Sequence, residues 1–290
     1  MALPTSPADS FIPEYWAALL LTSLRVNAVV SSALATNRDY EGEVRKGSKV
    51  HINSLTDPTV SPYTGAPLAT SELATTDQEL VISEGDYFSF SVKDVVRVQA
   101  AGDLAMTATA TAGRKMLEVA DRFVARQMIA NAGAKNVAIS IPATGNKGDA
   151  LYDAVVDNVV QELDDNDIPE DQRFLIVTPR IKAMLLKSSK FTDASQYGSD
   201  EPIRNGEIGR FSGLRVQVTT NIPQTTPGTP DVDLIAGHPM ATTYASQIQE
   251  TESIRAQDDF ADIVRGLHVY GAKVIRPSAL VTAKVTVTTT

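Results

Sequence analysis

The chain has 290 residues, with 26 Lys plus Arg against 35 Asp plus Glu, and so a formal charge of −9. Its 43% hydrophobic and 21% charged residues are those of a globular protein and argue against a disordered, collagen-like or membrane-embedded chain. The acidic balance disfavours nonspecific DNA binding, which draws its affinity from Lys and Arg at phosphates, and the lack of any cysteine excludes disulfides, thiolate metal sites and a cysteine nucleophile.

The first apolar stretch, residues 15–34, is broken by Thr22, Ser23, Arg25 and Asn27. An Arg near the centre of a membrane helix costs roughly 2.5–3.5 kcal/mol. The spacing of Tyr15, Leu19, Val26, Val30 and Ala33 instead predicts an amphipathic helix that docks on a surface. The protein reads as soluble, cytosolic in synthesis and without a membrane anchor.

Strand-like alternation begins after residues 37–42. Val44, Val50 and Ile52 share one parity, with Glu43, Arg45, Lys49 and His51 on the other. A second arm runs through Leu80, Ile82, Phe88, Phe90 and Val92, and Pro58, Pro62 and Pro67 mark an irregular connection between the two. The pattern predicts a very long hairpin. A lone two-stranded ribbon is marginal in water, so this arm needs its own domain or a neighbouring subunit to lie on.

Residues 103–132 carry the clearest helix, with Met106, Ala110, Gly113, Leu117, Ala120, Val124 and Met128 at steps of three and four. About 28 residues at 1.5 Å each span roughly 42 Å, a spine rather than an average helix. Helix and strand signals then alternate over 149–245: a helix at 149–163 ended by an acidic turn, a buried strand at 173–178, a proline-started helix to 187, and strands at 214–219 and 232–236. Residues 246–276 alternate strongly, and the tail 281–290 alternates Thr and Val.

No catalytic constellation emerges. The run 162–171 holds six carboxylates, but a Ca²⁺ loop counted from Asp164 puts Pro169 at the sixth place, where Gly is required, and Leu175 at the twelfth, where Glu is required. A solvated turn is the better reading. His51, His238 and His268 fall in separate elements, away from the spacing of a zinc helix. Residues 145–148 lack the flanking groups of a phosphate loop and read as a hairpin turn, and no nucleophile elbow occurs. The residues therefore predict no catalytic, cofactor-binding or metal-binding site and no cofactor.

The order of features carries a resemblance. Residues 11–14 (FIPE) open the first helix, followed by 37–43 (NRDYEGE) and 47–52 (GSKVHI), then 91–95 (SVKDV) with Gln99 before the long helix. Later come Ile168 and Pro169 before 173–179, then 205–216 (NGEIGRFSGLRV), and finally 260–262 with 270–274 and Pro277. This ordered set resembles tailed-bacteriophage major capsid proteins of the Hong-Kong-97-type fold. The resemblance implies an α+β fold with an N-terminal arm (1–38) and an extended β-hairpin E-loop (39–95). A spine helix and part of a peripheral domain (96–148), an axial domain (149–245) and the remainder of the peripheral domain with the tail (246–290) would follow.

The resemblance further implies a non-enzymatic coat protein that self-assembles into pentamers and hexamers of an icosahedral shell. The shell would enclose phage double-stranded DNA without sequence-specific binding, in a virion capsid assembled in the bacterial host cytoplasm. Portal and decoration proteins are the partners such a shell implies. Thirty-eight residues before the E-loop leave no room for a fused scaffolding segment, so a separate scaffolding protein, or assembly without one, is expected. Lys46 and Lys49 sit near the base of the arm, and no cross-link is predicted. Expected intersubunit contacts are Trp16 and Leu20 in the arm helix, and Arg45, Lys46, Asp57, Tyr63 and Glu72 on the E-loop. Asp193, Asp200, Glu201 and Arg204 would line an axial loop. Each is set against the plain alternative of a solvated side chain. An encapsulin-like compartment protein is the alternative within the fold, and an α/β enzyme with an unrecognised site is the alternative outside it.

Overall fold

The computed structural model describes residues 29–40, 49–55, 75–93, 104–189, 210–226, 228–257 and 260–288. Strands β1 (Lys49–Leu55) and β2 (Thr75–Val81) pair antiparallel as a separate two-stranded sheet. The predicted second arm is interrupted: Ile82 and Ser83 leave the ladder, and β3 (Glu84–Lys93) pairs instead with β10 (Ala261–Val274). Strand β9 (Thr242–Arg255) lies on the other side of β10, giving a sheet ordered β3-β10-β9.

Helix α1 (Leu104–Asn131) is the predicted spine. Gly113, Leu117, Ala120, Val124 and Met128 of the apolar stripe are all buried, whereas Ala110 is exposed. Strand β4 (Ala134–Pro142) follows. Residues 145–148 then turn the chain from strand into helix rather than into a hairpin. Gly145 takes a φ of 91° that an L residue rarely adopts, and the Asn146 side chain caps the next helix by accepting from the Gly148 amide.

That helix, α2 (Lys147–Val155), passes through a π-helical turn (Val156–Val160) into α3 (Gln161–Asp165). Leu151, Val155 and Val159 keep a spacing of four, and the wider turn then brings the adjacent Val160 inward as well, before Leu163.

The main sheet has six strands in the order β4-β11-β8-β5-β7-β6, with β5 (Phe174–Val177), β6 (Arg210–Phe211), β7 (Leu214–Val218), β8 (Leu234–Gly237) and β11 (Leu280–Thr288). Strands β4 and β11, and β5 and β7, run parallel; the other pairs are antiparallel. All four residues of β5 are buried because both faces are covered. Leu175 and Val177 point to α2, α3 and α4 (Pro179–Leu185), where they meet Leu151, Val159, Ile181 and Leu185. Phe174 and Ile176 point the other way, into a second core with Ala120, Val124 and Met128 of α1 and with Tyr244 and Tyr270 of the three-stranded sheet. Each such apolar side chain contributes about 1.5–3 kcal/mol on burial. The spine is therefore clamped between two sheets.

Candidate assembly interfaces

Residues 29–40 form turns rather than the end of the predicted N-terminal helix. One carboxylate holds them in place. Asp121 lies on the buried side of α1 with no exposed surface, and it accepts hydrogen bonds from the Val29 amide at 3.2 Å, the Ser31 amide at 3.0 Å and the Ser31 hydroxyl. The Asn221 amide group donates to its second oxygen at 3.2 Å. Three segments distant in sequence meet at this one side chain. Asn37 then bridges to Thr243 on β9, and the Arg38 guanidinium donates to the Ser31 carbonyl while lying 5.2 Å from the Tyr244 ring centre.

The β1–β2 hairpin is seated at its base. Val50, Ile52, Leu80 and Ile82 cluster with Ala245, and Tyr40, Val269 and Ile275 pack against them. Lys273 donates to the Glu79 carbonyl at 2.9 Å, and Gln78 to the Ile275 carbonyl at 3.4 Å. On the outer face Lys49 pairs with Glu79 and His51 with Asp77, both at 2.9 Å. Lys49 also holds the Glu79 carboxyl below its usual range, through its hydrogen bond and charge. These exposed pairs set register more than stability.

A buried polar cluster sits where β3, β10 and the N-terminal turns converge. His268 is 3% exposed, and its ring centre lies 4.9 Å from that of Tyr270, whose hydroxyl donates to Asp86 at 2.6 Å. His268 Nδ1 has no hydrogen-bond partner, and burial, with the Arg38 charge in support and Asp86 opposing, lowers its pKa to about 4. Burial and the bond to Asp86 push the Tyr270 hydroxyl strongly upward, so it stays neutral.

The acidic turn after α3 is rigidly held. The Arg173 guanidinium, 5% exposed, pairs with Asp164 at 2.6 Å and donates to the Ile168 and Pro169 carbonyls. Asp167 and Gln172 adopt positive φ values of 54° and 61° within it. Asp165, Asp167, Glu170 and Asp171 remain exposed. Across the molecule a groove of ≈ 450 Å³ is lined by Arg122 and Arg126 of α1 and by Thr220, Ile222, Gln224 and Asp231, among others, of the β7–β8 loop.

The expected contact residues Trp16, Leu20, Arg45, Lys46, Asp57, Tyr63, Glu72, Asp193, Asp200, Glu201 and Arg204 lie outside the described residues. Asp121 and Arg173 were not anticipated from sequence. Asp121 had a legible signal, since it falls on the apolar stripe of α1 between Leu117 and Met128, where a carboxylate is rarely buried without partners. Among the described residues no group of His, Asp and Glu gathers to hold a metal, and no helix is long and apolar enough to cross a membrane.

The two sheets, spine helix and hairpin define an α+β Hong-Kong-97-type capsid fold. A solved structure from Mycobacterium phage Che8 is 32% identical to the chain, with a TM-score of 0.73 over 89% of this chain and 91% of that one. The fold is shared with the capsid of cyanophage P-SCSP1u (15% identity, TM-score 0.67, 84% and 85% covered). It is also shared with a virus-like particle from Pyrococcus furiosus (15%, 0.60, 93% and 98%). No curated protein matches. Residues 75–283 match the family model described as "Phage capsid protein", and the chain belongs to that family. It is a tailed-phage major capsid protein, a structural rather than enzymatic shell component of the virion, and the encapsulin-like alternative is not preferred.

Proposed function

We propose that this chain assembles into pentamers and hexamers that close an icosahedral shell around phage double-stranded DNA, without sequence-specific DNA contacts. The observation that carries this reading is the β1–β2 hairpin. It is a sheet of two strands whose apolar face is covered at its base by Ala245, Val269 and Ile275, while the ladder continues outward to the pair Leu55 and Thr75. A ribbon of two strands gains stability only by lying on another surface, and a neighbouring subunit supplies one in a closed shell.

In this reading residues 1–38 are an N-terminal arm, 39–95 the E-loop, 149–245 the axial domain, and 96–148 with 246–290 the peripheral domain; β4 and β11 complete the axial sheet from outside it. Trp16 and Leu20 dock the arm, Arg45, Lys46, Asp57, Tyr63 and Glu72 pair across subunits, and Asp193, Asp200, Glu201 and Arg204 face the capsomer axis. Assembly takes place in the host cytoplasm, with a separate scaffolding protein or without one, and with portal and decoration proteins as partners. The net charge of −9 fits a wall that confines DNA and releases it. Electron microscopy of the expressed chain tests the reading. Closed shells with five- and six-membered capsomers, holding nuclease-protected DNA when formed in infected cells, are expected. Discrete small oligomers without closure would contradict it.

A further inference from the structure

We propose that the groove between α1 and the β7–β8 loop is the docking site for the acidic turn 164–171 of a second copy of this chain. The inference rests on the shell reading and specifies one contact within it. Arg122 and Arg126 are exposed, one helical turn apart, and line the same groove. Among the described residues neither guanidinium has an ion-pair or hydrogen-bond partner, and the two are the cations of the groove lining. Two like charges four residues apart weaken an isolated helix.

The groove's chemistry selects carboxylates. A guanidinium presents a planar fork that matches a carboxylate in two parallel hydrogen bonds. The loop wall is held open by its own bonds: the Thr225 amide donates to Asp231, and the Gly228 amide to Gln224. Ile222 and Pro223 are buried beneath it. The acidic turn is the complementary shape, already organised by Arg173, with Asp165, Asp167, Glu170 and Asp171 exposed. Preorganisation on both sides limits the ordering cost of the contact.

Topology places groove and turn at opposite ends of one sheet. The acidic turn leads into the start of β5, whereas the groove loop leaves the end of β7, which runs parallel to β5. Strands of this length separate their ends by about 13–17 Å, and the loops add more. The turn and the groove are different surfaces, so a ring forms when each subunit gives its turn to one neighbour and its groove to the other. Such a contact is head-to-tail, the kind that closes into rings when the rotation between copies permits.

The test uses the full chain under conditions where the wild type assembles. Arg122→Glu with Arg126→Glu is expected to lower the assembled fraction by about tenfold or more, through like-charge contact. Adding Asp165→Lys and Asp167→Lys is expected to restore most of it. Circular dichroism confirms that the exposed substitutions leave the subunit folded. Because the chain has no cysteine, a variant carrying both Arg126→Cys and Asp167→Cys has only the proposed pair to oxidise. It is expected to give a ladder of covalent oligomers on non-reducing gels that neither single variant gives. Undiminished assembly of the arginine reversal, or assembled double-cysteine particles that run as monomers, would overturn the contact and leave the shell reading standing. A wild-type chain that never assembles would remove both.

Discussion

Asp121 joins the N-terminal turns, the spine and the β7–β8 loop through four donors. Asp121→Ala leaves them unpaired, and each of the two buried Ser31 donors then costs roughly 1–3 kcal/mol. We expect a loss of about 3 kcal/mol or more in chemical denaturation, with a smaller loss for Asp121→Asn, which keeps one acceptor. Limited proteolysis should then cut within residues 29–40. His268 behaves differently. Its pKa falls from 6.5 in the unfolded chain to about 4 in the fold, chiefly through burial. The unfolded state therefore binds more protons between those values, and stability is full above pH 6.5 and lost as pH falls toward 4. The difference amounts to on the order of 3 kcal/mol. Arg38, Asp86 and Tyr270 are the charged and titratable groups that face the ring. His268→Leu should flatten this part of the pH profile in thermal melts; an unchanged slope would show that His268 does not set it.

At the scale of elements, the hairpin and the three-stranded sheet meet through a glycine. A Cβ on Gly271 would stand 2.4 Å from the Val81 carbonyl oxygen, a backbone atom that cannot swing away. Gly271→Ala should lift the base of the hairpin from β10. The expected sign is faster amide exchange at residues 78–82 and a lower melting temperature, while α2 and β5 stay protected. The spine, the buried strand β5 and the paired arms were legible in the sequence because each follows one period over many residues. The stripe from Gly113 to Met128 is buried as predicted, and Val50 and Ile52 face inward opposite Lys49 and His51. The break at Ile82 and Ser83 was not legible: both sides of it alternate in the same phase, and only pairing partners distant in sequence decide that β3 belongs with β10. The π-helical turn escaped notice for the same reason, since two adjacent valines fit a straight helix equally well on paper. The groove was invisible because Arg122, Arg126 and the loop at 220–231 lie about a hundred residues apart and meet only through the second core.

For the whole molecule, the subunit divides its stability unevenly. The two cores around the spine close on themselves, whereas among the described residues the hairpin is covered at its base and neither arginine of the groove is paired. Such a chain is built to be finished by its neighbours, and a shell reaches strength by repeating modest contacts many times. Contacts that rest on exposed charge pairs weaken as salt shortens the Debye length from about 10 Å at 0.1 M to about 3 Å at 1 M. Capsomers held partly by the Arg122 and Arg126 groove should therefore dissociate more readily at 1 M salt than at 0.1 M, which sedimentation at the two strengths will show. The most direct test of the central claim is the solution mass of the full chain, by light scattering on a sizing column, alone and with co-expressed scaffolding candidates. The account predicts species at five or six times the 31.0 kDa chain mass, or particles in the megadalton range. A chain that stays at 31.0 kDa under every one of those conditions would contradict it.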